Sequence, residues 1–195
     1  MFIDYLTLVM INLVAGTALL AWYLWRGLDA PDQRPYAAGF FGVGLVALVT
    51  GFHMSFTWPL PGSYNIAYSE TTVLFGTVFL VTAIALSQAW NLVPGAIYAF
   101  FAGIYALLVG LRLYSLQMTK EPLLSAVGFI LVGLSGIFAA PFLIWFRESR
   151  ILRWIGIVVL VLAALLWAVT FYNALWGHMD SFSDWVPSTM GPAAP

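Results

Sequence analysis

The chain has 195 residues, 63% of them hydrophobic and only 8% charged, against roughly 25% charged in an ordinary soluble domain, which excludes a water-soluble globular protein. Seven Lys and Arg against eight Asp and Glu leave a formal net charge of -1, so no basic field exists to hold a phosphate backbone and nucleic acid is not an expected partner. The absence of Cys removes disulfides, thiolate metal centres, iron–sulfur clusters and covalently attached haem, and any metal must be held by His, Met, carboxylate or backbone oxygen.

A helix needs about 20 mostly apolar residues to cross a bilayer. In chain order the stretches that qualify are Tyr5–Trp25, Ala37–Trp58, Thr71–Trp90, Pro94–Leu116, Leu123–Phe146 and Ile151–Trp176. These predict an all-α, polytopic transmembrane bundle of six helices, with the bilayer as its solvent. A barrel is excluded because the runs are long and apolar on all faces rather than short and alternating. The linkers are too short to fold separately, so residues 1–195 read as one membrane-embedded domain.

The first helix follows Phe2-Ile3-Asp4, which lacks the basic region of a cleavable signal peptide, and is expected to be retained. The second closes at Pro59 and Pro61 and carries a polar stripe, Thr50, His53 and Thr57, expected to turn toward the bundle. The fourth opens at Pro94 and has two small-residue stripes, Gly95/Ala99/Gly103 and Ala102/Ala106/Gly110. The second helix has one more, Ala47/Gly51/Ser55. Such spacing lets helix backbones approach closely, within the chain or between subunits. Tyr98, Tyr105 and Arg112 recur at heptad steps on the fourth helix and predict an inward stripe. Pro141 lies inside the fifth helix and predicts a kink. Residues 177–195, after the sixth helix, contain Trp185 and three prolines and are expected to form an irregular tail. The stretch from Gly39 to Leu45 echoes that from Gly128 to Leu134, as an inverted three-plus-three repeat would.

Arg26, Arg34, Arg147, Arg150 and Arg153 fall on one side of this topology. Cytoplasmic loops are enriched in Lys and Arg, so both termini, with the tail, are expected outside. Asp4, His53, Glu70, Arg112, Lys120, Glu121, His178, Asp180 and Asp184 then share the outward half, which makes that half the candidate site. Each of the two histidines precedes a methionine. Imidazole and thioether together suit copper, and two imidazoles can ligate haem b axially. The candidate cofactor ligands are therefore His53 and His178, with Glu70, Asp180 and Met54 completing a metal shell. Arg112 is expected to pair with Asp4 or Glu70, because an intramembrane cation is costly alone. Asn12 and Asn173 are embedded amides expected to bond across helices.

The stretches from Phe2 to Leu8, Gly51-Phe-His-Met54, the run from Thr57 to Asn65, and Thr119-Lys-Glu-Pro122 resemble a family of predicted prokaryotic membrane proteins designated only as a domain of unknown function. The resemblance runs along most of the chain. It implies a multipass protein of a prokaryotic cytoplasmic membrane and transfers no activity and no catalytic residue.

Two classes of function follow. One is a haem- or metal-binding or accessory subunit of a membrane complex, partnered by other membrane subunits or by copies of itself. The alternative is a small-solute or ion transporter using Arg112, Tyr98, Tyr105 and Asn12, disfavoured by the few polar side chains of the inner half.

Overall fold

The computed structural model describes residues 4–183, and all six expected helices are present. They are α1 (Tyr5–Trp22), α2 (Ala37–Thr57), α3 (Thr71–Ser87), α4 (Val93–Ser115), α5 (Pro122–Pro141) and α6 (Arg150–Ser181). Each is long and apolar enough to cross a membrane. Phe56, Phe101, Phe138, Ile151 and Leu165 are exposed on the outside of the bundle. Water would penalise that surface and lipid does not, so the chain is a multipass membrane protein.

The helices stand in a ring in chain order, closed by α6 against α1. Contact around the ring is uneven. The α2/α3, α4/α5 and α1/α6 pairs are closely packed, and the seams between pairs are looser. Glycine explains two of the close pairs. A Cβ on Gly103 of α4 would lie 2.4 Å from the Gly133 carbonyl oxygen of α5, and one on Gly44 of α2 would lie 2.6 Å from the Leu80 nitrogen of α3. Backbone lies against backbone at both crossings, so the small-residue stripes of α2 and α4 serve packing within the chain. On α1 and α6 the small residues Ala21 and Ala163, both buried, do similar work.

Gly44 and Gly133 occupy matching places in the two similar stretches, and the matching aromatics Phe40 and Phe129 are both buried. Their partners differ. α2 packs on the helix that follows it and α5 on the one that precedes it. An inverted three-plus-three repeat would keep that order, so the echo records a shared packing solution.

Polar side chains bind the looser seams. Asn12 Nδ2 donates across α1/α2 to the Val43 carbonyl at 2.9 Å, the inter-helix role expected of it. Pro141 does not break its helix. α5 passes directly into a π-turn, Phe142–Phe146, one of three such turns, with Tyr23–Gly27 after α1 and Ile66–Glu70 before α3.

The expected irregular tail needs correction. Helix α6 continues past Trp176 to Ser181 and places His178 on its last turns. A helix need not end where its apolar run ends, because headgroups and water accept a polar final turn. Trp185 lies outside the described residues.

Between α2 and α3 the chain is held by Asn65, which is fully buried. Its Oδ1 accepts from the Leu60 N–H at 2.9 Å, and its Nδ2 donates to the carbonyls of Leu60 and Gly62. One amide thus supplies both backbone partners of Leu60, which stands between Pro59 and Pro61 outside any helix.

Candidate functional site

At the end of the bundle where α1 begins and α6 ends, the expected residues are paired, but not as expected. His53 Nδ1 is bonded by the Tyr5 hydroxyl and faces Thr57 Oγ1 at 3.2 Å. His178 Nδ1 lies 2.8 Å from Asp4 Oδ2. Asp4 also caps α1, its Oδ1 accepting from the Thr7 N–H. Glu70 accepts from the Tyr105 hydroxyl of α4. Each link crosses a seam: α1/α2, α6/α1 and α3/α4.

Asp4 and Tyr5 are consecutive, so the start of α1 stands between the two histidines and gives each its own partner. Among the described residues no group of three or more His, Asp or Glu gathers to hold a metal. The other expected ligands diverge for reasons of helix geometry. Met54 is fully buried whereas neighbouring His53 is exposed, as consecutive helical positions project about 100° apart. Asp180, two positions beyond His178, projects to the other side of α6. Glu70 is engaged by Tyr105.

The Arg112 pairing is likewise corrected. Its Nη1 reaches Ser115 Oγ at 3.4 Å, while Asp4 and Glu70 are bound elsewhere. Arg112 is exposed and Tyr98 is 40% exposed, so their stripe does not face inward. Near a helix end a long guanidinium side chain reaches the headgroup layer without a buried partner. The Thr50-His53-Thr57 stripe also splits. Thr50 is buried and donates to the Val46 carbonyl, while His53 and Thr57 stay exposed.

The opposite end carries the arginines. Arg153 pairs with Asp29 and donates to the Arg147 carbonyl, and Arg147 donates to the Leu28 carbonyl, tying the α5–α6 turn to the end of α1. The hydrogen bond from Arg153 holds the Asp29 carboxyl below the usual carboxylate range, and the bond from Arg34 does the same for Asp32.

Sequence reasoning missed the largest feature. Inside the ring is a cavity of about 720 Å³ with walls from all six helices. On α6 it runs from Leu152 to Trp167, about 20 Å at 1.5 Å per residue. Its walls are mainly Leu, Val, Ala, Gly and Phe. The threonine and serine hydroxyls on them, Thr17, Thr71, Thr72, Thr82 and Ser135, donate back to carbonyls of their own helical segments. Those protons are not available to an occupant.

At the end where α1 begins and α6 ends the cavity is lined by an aromatic row. The rings of Tyr64 and Tyr68 stack, Tyr68 meets Phe129 at 5.8 Å, and Phe129 meets Trp167 edge-on at 5.5 Å. At the arginine end several cavity residues face the bilayer as well: Phe138 on α5 is 61% exposed, and Ile155 on α6 is 53% exposed. Lining residues on both sides of the α5/α6 seam thus reach the bilayer-facing surface, which makes this seam the candidate lateral window.

A family model described as a protein of unknown function, DUF981, matches residues 1–181. No curated protein and no solved structure matches the chain.

Proposed function

We propose that this chain, which belongs to the DUF981 family, holds one elongated apolar molecule drawn from the bilayer within its six-helix chamber. The observation that carries this reading is the chamber itself: its volume lies in the range of small-molecule sites, and its wall is apolar with few polar groups free to act. An ion or polar solute would find no continuous set of donors there, which weighs against the transporter reading. Haem or copper on His53 and His178 gains no third ligand among the described residues, and the chamber wall has no histidine. A cofactor role is therefore read as that of an apolar molecule. All six walls come from one chain, so partner subunits are not needed to complete the site. We further place the chain in a prokaryotic cytoplasmic membrane with its termini outside, on the arginine asymmetry and the resemblance.

Native mass spectrometry of the protein extracted in mild detergent tests the reading. Gly156 lines the chamber beside the window, and a Cβ there meets only Leu24 Cδ1, at 3.6 Å. Gly156→Phe should fold and obstruct the mouth. The wild-type protein and a Gly42→Phe control, whose Cβ meets nothing within 4 Å, should retain one bound apolar mass that Gly156→Phe lacks. Equal retention by all three proteins, or none by any, contradicts the reading.

A further inference from the structure

We propose that the occupant is a long prenyl or acyl chain ending in an uncharged oxygen acceptor, with the oxygen docked at Tyr68 and Trp167 and the tail leaving between α5 and α6. This rests on the chamber reading and adds the chemistry of the ligand and its direction. Tyr68 is 8% exposed and Trp167 is 4% exposed, and both line the chamber. Trp167 Nε1 is buried with no hydrogen-bond partner, and among the described residues the Tyr68 hydroxyl has none either.

A buried donor without an acceptor is costly, and native structures leave few. Trp167 Nε1 is such a donor, and the Tyr68 hydroxyl, which has no acceptor of its own, belongs to the same aromatic row in an otherwise apolar chamber. A carbonyl-type oxygen would satisfy them, with the indole turning slightly to present its N–H. The Cε2–Cζ2 edge of the indole packs over Gly128, whose lack of a side chain leaves that place to the ring.

The head must be uncharged. No ionic side chain lines this end of the chamber, and Arg153, the cation on its wall, stands about 20 Å away along α6. A carboxylate or phosphate at Tyr68 would therefore be a buried, unpaired charge. The tail has a continuous apolar route. From the chamber it passes Phe138 and Ile155 at the window, then meets a shallow groove on the outer face of α6 bounded by Arg150 and Trp154. Groove and chamber share Ile155 and Val159. A chain that fills the chamber and emerges here spans more than one leaflet's half of a hydrocarbon core about 30 Å thick, so short lipids leave the head site empty.

Equilibrium binding in nanodiscs tests the assignment with three probes of matched length: a prenylated benzoquinone, a long-chain acyl methyl ester and a saturated hydrocarbon. The oxygenated probes should bind the wild-type protein more tightly than the hydrocarbon, and the tighter of the two identifies prenyl or acyl as the source. Tyr68→Phe removes one oxygen from a packed ring. It should weaken the oxygenated probes about ten-fold, the worth of one stranded acceptor, and leave the hydrocarbon unchanged. Trp167→Phe should act in the same direction. If both variants leave the oxygenated probes unchanged, or weaken all three probes equally, the head assignment fails while the chamber reading stands. If no probe binds the wild-type protein, or Gly156→Phe binds each as well as the wild-type does, the chamber reading fails and takes this one with it.

Discussion

Replacing Gly103 by leucine is expected to give the largest loss of stability of any single change on α4. The new Cβ would sit 2.4 Å from the Gly133 carbonyl oxygen and 2.6 Å from the Ile137 nitrogen. Both are backbone atoms of α5, so no rotamer change relieves the overlap and the two helices must separate. Overpacking costs about 1–3 kcal/mol where side chains can yield; with backbone on both sides the loss should reach the upper end or beyond. For a chain of this size that corresponds to a fall in melting temperature on the order of 10 °C. Gly42→Leu is the control, because a Cβ at Gly42 meets nothing within 4 Å. Thermal unfolding in detergent should separate the two variants clearly. Equal melting temperatures would mean that α4 and α5 do not cross at Gly103.

Asn65→Leu is expected to be nearly as damaging by another route. Leucine keeps the bulk but offers no partner to the Leu60 N–H and carbonyl, which the Asn65 side chain now satisfies at a fully buried position, while the Gly62 carbonyl keeps only the backbone N–H of residue 65. Each stranded backbone group costs about 1–3 kcal/mol unless water reaches it. The loop should relieve that cost by opening, which makes residues 58–65 a new site of limited proteolysis. Asn65→Asp retains the acceptor for the Leu60 N–H, loses both donors and buries a charge, so it should not rescue the loop. The chain leaves Asn65 directly into the π-turn that carries Tyr68, so an opened loop should also reduce probe binding. A protease-resistant Asn65→Leu protein with unchanged melting temperature would show that the loop is held by other contacts.

Much of this architecture is legible in the residues themselves. Long apolar runs bounded by Trp, Pro and Arg locate six helices, since a bilayer permits little else, and the small-residue stripes mark where backbones meet. Partner choice was less accessible. His53 and Tyr5 are distant in sequence, and only the ring order of the helices shows that α1 separates α2 from α6. Charge counting suggested Asp4 or Glu70 for Arg112, yet Asp4 is the nearer partner of His178, and Tyr105 takes Glu70 across α3/α4. The helical extension through His178 was hidden because the apolar signal stops at Trp176. The chamber left the weakest trace. Its wall is built from Ala, Gly and Leu positions on six helices, each of which alone reads as ordinary packing, and only their common orientation encloses a volume.

The most direct measurement is an experimental density map of the protein prepared from lipid without delipidating detergent. The account predicts one continuous elongated feature between the six helices, from Tyr68 and Trp167 to the gap between Phe138 and Ile155. α5 and α6 should remain apart at the window, and a polar head should lie within hydrogen-bond distance of the Tyr68 hydroxyl. A closed ring, with α5 packed along α6 and side chains such as Phe79 and Phe129 meeting in the middle, would contradict it. A chamber occupied only by separate water molecules would contradict it equally.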